Sequence, residues 1–86
     1  MANTAQVEHE ISLLVTFIRS IGKQNPSTGK YETTFGDLFR NDDVQNTLES
    51  LAGTLKAAKR RAVIRYSSEL LLQGVSDKEV ITLDKE

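Results

Sequence analysis

The chain contains no cysteine and no tryptophan, and it has a single proline and a single histidine. Without cysteine there is no disulfide framework, no thiolate metal site and no cysteine nucleophile. An excess of charge of one sign is also missing. Twelve acids against eleven basic residues leave a formal net charge of −1, so bulk attraction does not draw this protein to nucleic acid, and any cationic surface is local. No run approaches the roughly 18 apolar residues that a spanning helix needs, and the start of the chain, residues 1–8, lacks the basic-then-apolar order of a secretory leader. The expected location is therefore the cytoplasm, without membrane contact.

What is present describes an ordinary globular domain. Hydrophobic residues at 38% and charged residues at 27% of 86 positions fit one soluble domain spanning 1–86, with its core over about 5–83. A chain this size buries roughly 60% of its unfolded surface, enough for a packed core but too little for a deep substrate cavity.

The clearest periodicity lies between Thr4 and Gly22. Val7, Ile11, Leu14, Val15, Ile18 and Ile21 fall on one helical face, with His9, Ser12, Thr16 and Arg19 opposite. Gly22 stops this helix, Lys23 to Lys30 reads as a loop marked by Pro26 and Gly29, and Tyr31-Glu32-Thr33 as a short strand. Thr34 then caps a short helix carrying Phe35, Leu38 and Phe39, which are assigned to the core. A third helix is expected from a cap at Asp42, with Gln45 closing a capping box. Its inner face is Val44, Leu48, Leu51, Leu55 and Ala58, and its outer face is Glu49, Gly53, Lys56 and Arg60. From Ala62 the period changes. Runs 62–66, 69–73 and 80–83 read as strands, although Leu70, Leu71 and Leu72 cannot all point inward from one of them. Helices followed by a small sheet make the class α+β, in the order of a winged helix-turn-helix: three helices and then a small antiparallel β-sheet.

Catalysis needs a nucleophile, a base and a group that orients them, and no such set can be named. His9 has no partner histidine or cysteine and is assigned to the solvated face. Gly22-Lys23 and Gly29-Lys30 lack the remaining residues of a phosphate loop, and Asp42-Asp43 lack the alternating oxygen ligands of a calcium loop. The chain is accordingly expected to be no enzyme and to need no metal or cofactor. The sharper feature is a run of basic residues. Between Gly53 and Ser68 stand Lys56, Lys59, Arg60, Arg61 and Arg65 with no acid among them, more than the helix dipole alone would call for. Together with Gly53, whose missing side chain would permit close approach, these five form the candidate partner-binding site for an acidic surface. A DNA-reading winged helix is the alternative, but the end of the third helix that would meet the bases carries Asp42, Asp43 and Glu49.

Three blocks resemble the costars family, small proteins similar to the C-terminal domain of the striated-muscle activator of Rho signalling. They are Phe35-Gly36-Asp37-Leu38-Phe39-Arg40, Gly53-Thr54-Leu55-Lys56-Ala57-Ala58-Lys59-Arg60, and Glu69-Leu70-Leu71-Leu72-Gln73-Gly74-Val75 with Asp77. The resemblance runs from about Val7 to Leu83. The chain departs from it at Asn41, Val44, Ala62 and Ser67-Ser68, the last standing where the family usually has a Pro-Gly turn. What the resemblance implies is a non-enzymatic module of the actin cytoskeleton, active in cell motility. It would bind actin filaments or an acidic actin-associated protein rather than nucleic acid. The chain is separately expected to be a monomer.

Overall fold

The computed structural model describes residues 4–68, 71, 72 and 74–85. Its elements are α1 (Thr4–Ile21), β1 (Lys23–Gln24), β2 (Tyr31–Thr34), α2 (Phe35–Arg40), α3 (Asp42–Thr47), α4 (Leu51–Arg60), β3 (Ile64–Arg65) and β4 (Val80–Leu83). The class is α+β, as the order of periods implies. The strands form one antiparallel sheet in the order β1-β2-β4-β3.

The apolar stripe of α1 lies at the centre. Ile11, Leu14 and Ile18 are buried against α4, whose Leu51, Leu55 and Ala58 are also buried, and against the inner face of the sheet. Thr54 of α4 is buried too, and its hydroxyl donates to Glu10 of α1 at 3.1 Å, so this buried polar group is satisfied. On the sheet, alternation sends Ile64, Ile81 and Leu83 inward. Register places Glu32 and Arg65 on either side of Thr82, along the opposite face.

Gly22 ends α1 where the chain turns directly into the sheet. A Cβ there would overlap the carbonyl oxygens of Glu32 and Ile18, so only glycine allows this approach. The loop read at 23–30 is in part a strand, because Lys23 and Gln24 pair with Glu32 and Tyr31. These two residues are polar and exposed, so no apolar alternation marks them. Asn25 closes the hairpin: its backbone carbonyl accepts from Gly29 at 2.7 Å and its side chain from Ser27 at 2.8 Å.

The single third helix is corrected to two, making four helices among the described residues. The cap of α3 is Asn41 rather than Asp42: its side chain accepts from the Val44 amide at 3.1 Å. Gln45 closes no box and donates instead to the Phe39 carbonyl. Leu48 is extended, and Ser50 starts α4 by accepting from the Gly53 amide at 3.1 Å. Val44, Leu48, Leu51, Leu55 and Ala58 are nonetheless all buried. The break leaves the inward face intact, which is why the periodicity hides it.

Of the expected strands, 62–66 shortens to β3 and 80–83 is β4. In the run 69–73, Leu71 and Leu72 belong to no strand, while positions 69, 70 and 73 lie outside the described residues. Leu71 packs against the core and Leu72 is exposed. The sheet does not simply follow the helices either, since β1 and β2 precede α2.

Two local features are suboptimal for stability. The Thr33 hydroxyl is buried on the inner face without a hydrogen-bond partner. Replacing it by the near-isosteric valine removes that desolvation penalty, so Thr33→Val is expected to stabilise by about 1 kcal/mol. The same gain read as a melting temperature is a rise of about 4–8 °C. Past the end of α4, Ala62 has φ of 58° while its amide bonds Lys59 and that of Val63 bonds Ala58, a Schellman turn with alanine where glycine is preferred. Ala62→Gly is expected to add roughly 0.5–1 kcal/mol in chemical denaturation, the relief of left-handed strain less the entropy glycine costs.

Candidate functional site

The outer face of α4 is built by helical geometry. At about 100° per residue, Gly53, Lys56, Lys59 and Arg60 fall within one third of the circumference, opposite the buried Leu51, Leu55 and Ala58. Gly53, Lys56 and Arg60 are exposed. Around Gly53 a Cβ would meet only the Ser50 side chain, at 3.1 Å, so no other part of the fold presses on it.

The basic residues divide by what they touch. Lys56 and Arg60 form no ion pair among the described residues. Arg61 is exposed at the C-cap, and its guanidinium donates back to the Ala57 carbonyl at 3.3 Å, close to the negative end of the helix dipole. Lys59 turns inward: its Nζ lies 4.3 Å from the centroid of the Tyr66 ring and donates to the Ser68 carbonyl at 3.1 Å. Arg65 stands apart on the outer face of β3, where Nη2 is 3.4 Å from Asp84 Oδ1, the same oxygen that Lys30 Nζ contacts at 2.7 Å. The structure thus gathers four of the six expected site residues on one helix face, sets Arg61 at its end and puts Arg65 on the sheet.

Sequence reasoning missed the group that supports this face. Glu79, just before β4, accepts from the Ser67 amide at 2.8 Å, the Ser68 amide at 3.4 Å and the Ser68 hydroxyl at 2.7 Å. The Ser68 hydroxyl bond first, then the Ser67 amide bond, and more weakly the Ser68 amide bond and the charge of Lys59, hold the Glu79 carboxyl below its ordinary value against the opposing effect of burial. Burial first, and the Glu79 charge second, push the Tyr66 phenol up. The available signal was an acid eleven residues beyond a Ser-Ser pair, a spacing no motif marks.

Elsewhere, His9 is exposed on α1, while Asp42 and Asp43 are exposed in the first turn of α3. Among the described residues, no three His, Cys, Asp or Glu side chains cluster as metal ligands, and no helix is long and apolar enough to cross a membrane. Two shallow grooves share Val80 as a wall, one towards Ile21 and Thr34, the other towards Arg65 and Ser67.

The same α+β fold is found in a solved structure. The solution structure of the human HSPC280 protein superimposes with a TM-score of 0.83 at 50% identity, covering 93% of each chain. Among curated proteins, the zebrafish (Danio rerio) Costars family protein ABRACL is 52% identical over 77 residues, 90% of this chain and 94% of the relative. Protein costars of Dictyostelium discoideum is 46% identical over 80 residues, 93% of this chain and 96% of the relative. The Costars family model matches residues 6–84. The chain belongs to the costars family.

Glu79 gives a pH test with a defined sign. Its folded carboxyl titrates below the ordinary value of 4.5, so the unfolded chain binds the proton first on acidification. Its contribution is complete above that value and is lost as pH falls through and below it. In melting curves measured between about pH 3 and 7, the wild type is expected to be more stable than Glu79→Gln at neutral pH and the two to converge in acid.

Proposed function

We propose that this chain is a non-enzymatic regulator of actin organisation and cell motility, working in the cytoplasm as a monomer. It binds actin filaments, or an acidic actin-associated protein, through the outer face of α4. Membership in the costars family points towards the actin cytoskeleton. The observation that carries the binding mode is the pairing of exposed Lys56 and Arg60, one turn apart beside Gly53, neither of them neutralised by a carboxylate among the described residues.

The physical logic is steering by a local field. A protein of net charge −1 is not attracted indiscriminately to polyanions, but a concentrated cationic face orients it towards an acidic surface. Such a contact is screened by salt over about 8 Å at physiological ionic strength, so binding weakens as salt rises. Lys59 and Arg65, already engaged within the fold, hold the face and the sheet in place, and Arg61 extends the face at its C-terminal end.

Co-sedimentation with purified filaments across ionic strength tests this reading. Lys56→Glu with Arg60→Glu is expected to weaken pelleting at least tenfold, about 1.4 kcal/mol, with a melting curve close to wild type. Equal pelleting of variant and wild type removes α4 from the account. Lys59→Gln, in contrast, is expected to lower the melting temperature, because its cation–π and carbonyl contacts are internal.

A further inference from the structure

We infer that Ser68 is a phosphorylation site for a serine kinase that selects basic residues N-terminal to its target, and that phosphate there opens the Glu79 clamp and weakens the cationic face of α4. The second half rests on the binding mode proposed above.

Three donors from two adjacent residues converge on one carboxylate: both serine amides and the Ser68 hydroxyl, the last at 2.7 Å. Phosphorylation breaks the Ser68 O–H bond and forms an Oγ–P bond. The γ-phosphoryl group of ATP is transferred, ADP leaves and the proton goes to solvent. The clamp then loses a donor and gains close to two negative charges within hydrogen-bond distance of Glu79, a repulsive contact. Lys59 already reaches the Ser68 carbonyl at 3.1 Å, so its ammonium can turn to a phosphate on the same residue. A cation that flanks the binding face becomes neutralised and the net charge of the domain moves further negative.

The segment suits an enzyme that binds its substrate in extended form. Residues 66–68 belong to no helix or strand, Ser67 is exposed and Ser68 is half-buried. Tyr66 is buried and anchors one side. Arg65, three residues before Ser68, has an exposed side chain, and Arg60 and Arg61 precede it, so the approach to the hydroxyl carries positive charge.

The full chain is incubated with magnesium-ATP and a purified serine kinase that prefers arginine three residues before its target. Peptide mass spectrometry is expected to place one phosphate on Ser68, absent in Ser68→Ala, with an initial rate at least threefold higher in Glu79→Gln, where the hydroxyl is held less firmly. No incorporation at Ser68 overturns the site. A chain carrying genetically encoded phosphoserine at position 68 is then compared with wild type and Ser68→Ala. Amide exchange at Ser67 and Ser68 is expected to speed up at least tenfold, and the apparent filament Kd to rise at least fivefold in the phosphorylated chain alone. Unchanged amide exchange overturns the switch, as does unchanged pelleting when the wild type pellets. Faster exchange in a chain whose wild type never pellets supports the clamp opening and counts instead against the filament-binding reading.

Discussion

The structure depends on burying the stripe of α1. Leu14 and Ile18 are wholly removed from solvent, and α1 contacts α2, α4, β1 and β2, so every layer of the domain is referenced to this one helix. In a chain this small, roughly 40% of the unfolded surface stays exposed after folding, and no second core exists to compensate for a lost contact. The geometry of α4 follows directly. Once Leu51, Leu55 and Ala58 are committed to α1 and the sheet, helical periodicity leaves Gly53, Lys56 and Arg60 no orientation but outward.

A second constraint is the segment just before β4, which joins elements distant in sequence. The Asp77 carbonyl accepts from the Gly36 amide and the Glu79 carbonyl from the Phe35 amide, each at 2.9 Å, so the first two amides of α2 are satisfied by this segment while the Asp37 amide goes to the Thr34 cap. A side chain at Gly36 would press on Asp77 at 2.9 Å. The Glu79 carboxylate meanwhile holds Ser67 and Ser68. One short stretch therefore fixes where α2 begins, where the chain travels after β3 and where β4 starts. The small sheet, two of whose strands are only two residues long, depends on these side-chain and loop bonds as much as on its own ladders.

These two constraints differ in how visible they are in the sequence. The α1 stripe, the capped helix after Thr34, the core positions of Phe35 and Leu38 and the buried series from Val44 to Ala58 are all written as periodicity, because burial recurs every three or four residues. The family resemblance likewise reaches most of the chain. The break at Leu48 to Ser50 is invisible because it preserves that recurrence, and β1 because two polar edge residues carry no alternation. The clamp at Glu79 is a tertiary coincidence: its partners are eleven and twelve residues away, and nothing at either end is unusual by itself. The cationic run was legible as composition. Its division into engaged and free charges was not, since that depends on where Tyr66 and Asp84 come to rest.

That division bears on how a charge cluster should be interpreted. Lys56 and Lys59 are the same residue type, one turn apart on one face, and in sequence they are equivalent. In the fold, Lys59 spends its ammonium on a ring and a carbonyl, and desolvating it further at an interface would forfeit both contacts; Lys56 makes no such contact among the described residues. Arg65 differs from Arg60 in the same way, because Asp84 already shares its charge with Lys30. In the proposed binding mode, a partner approaching α4 therefore meets Lys56, Arg60 and the exposed edge of Arg61, while Lys59 and Arg65 set the shape it meets. Neutralising all five at once would confound loss of binding with loss of structure. The two roles separate only when Lys56 and Arg60 are altered and the residues that bond inward are left alone.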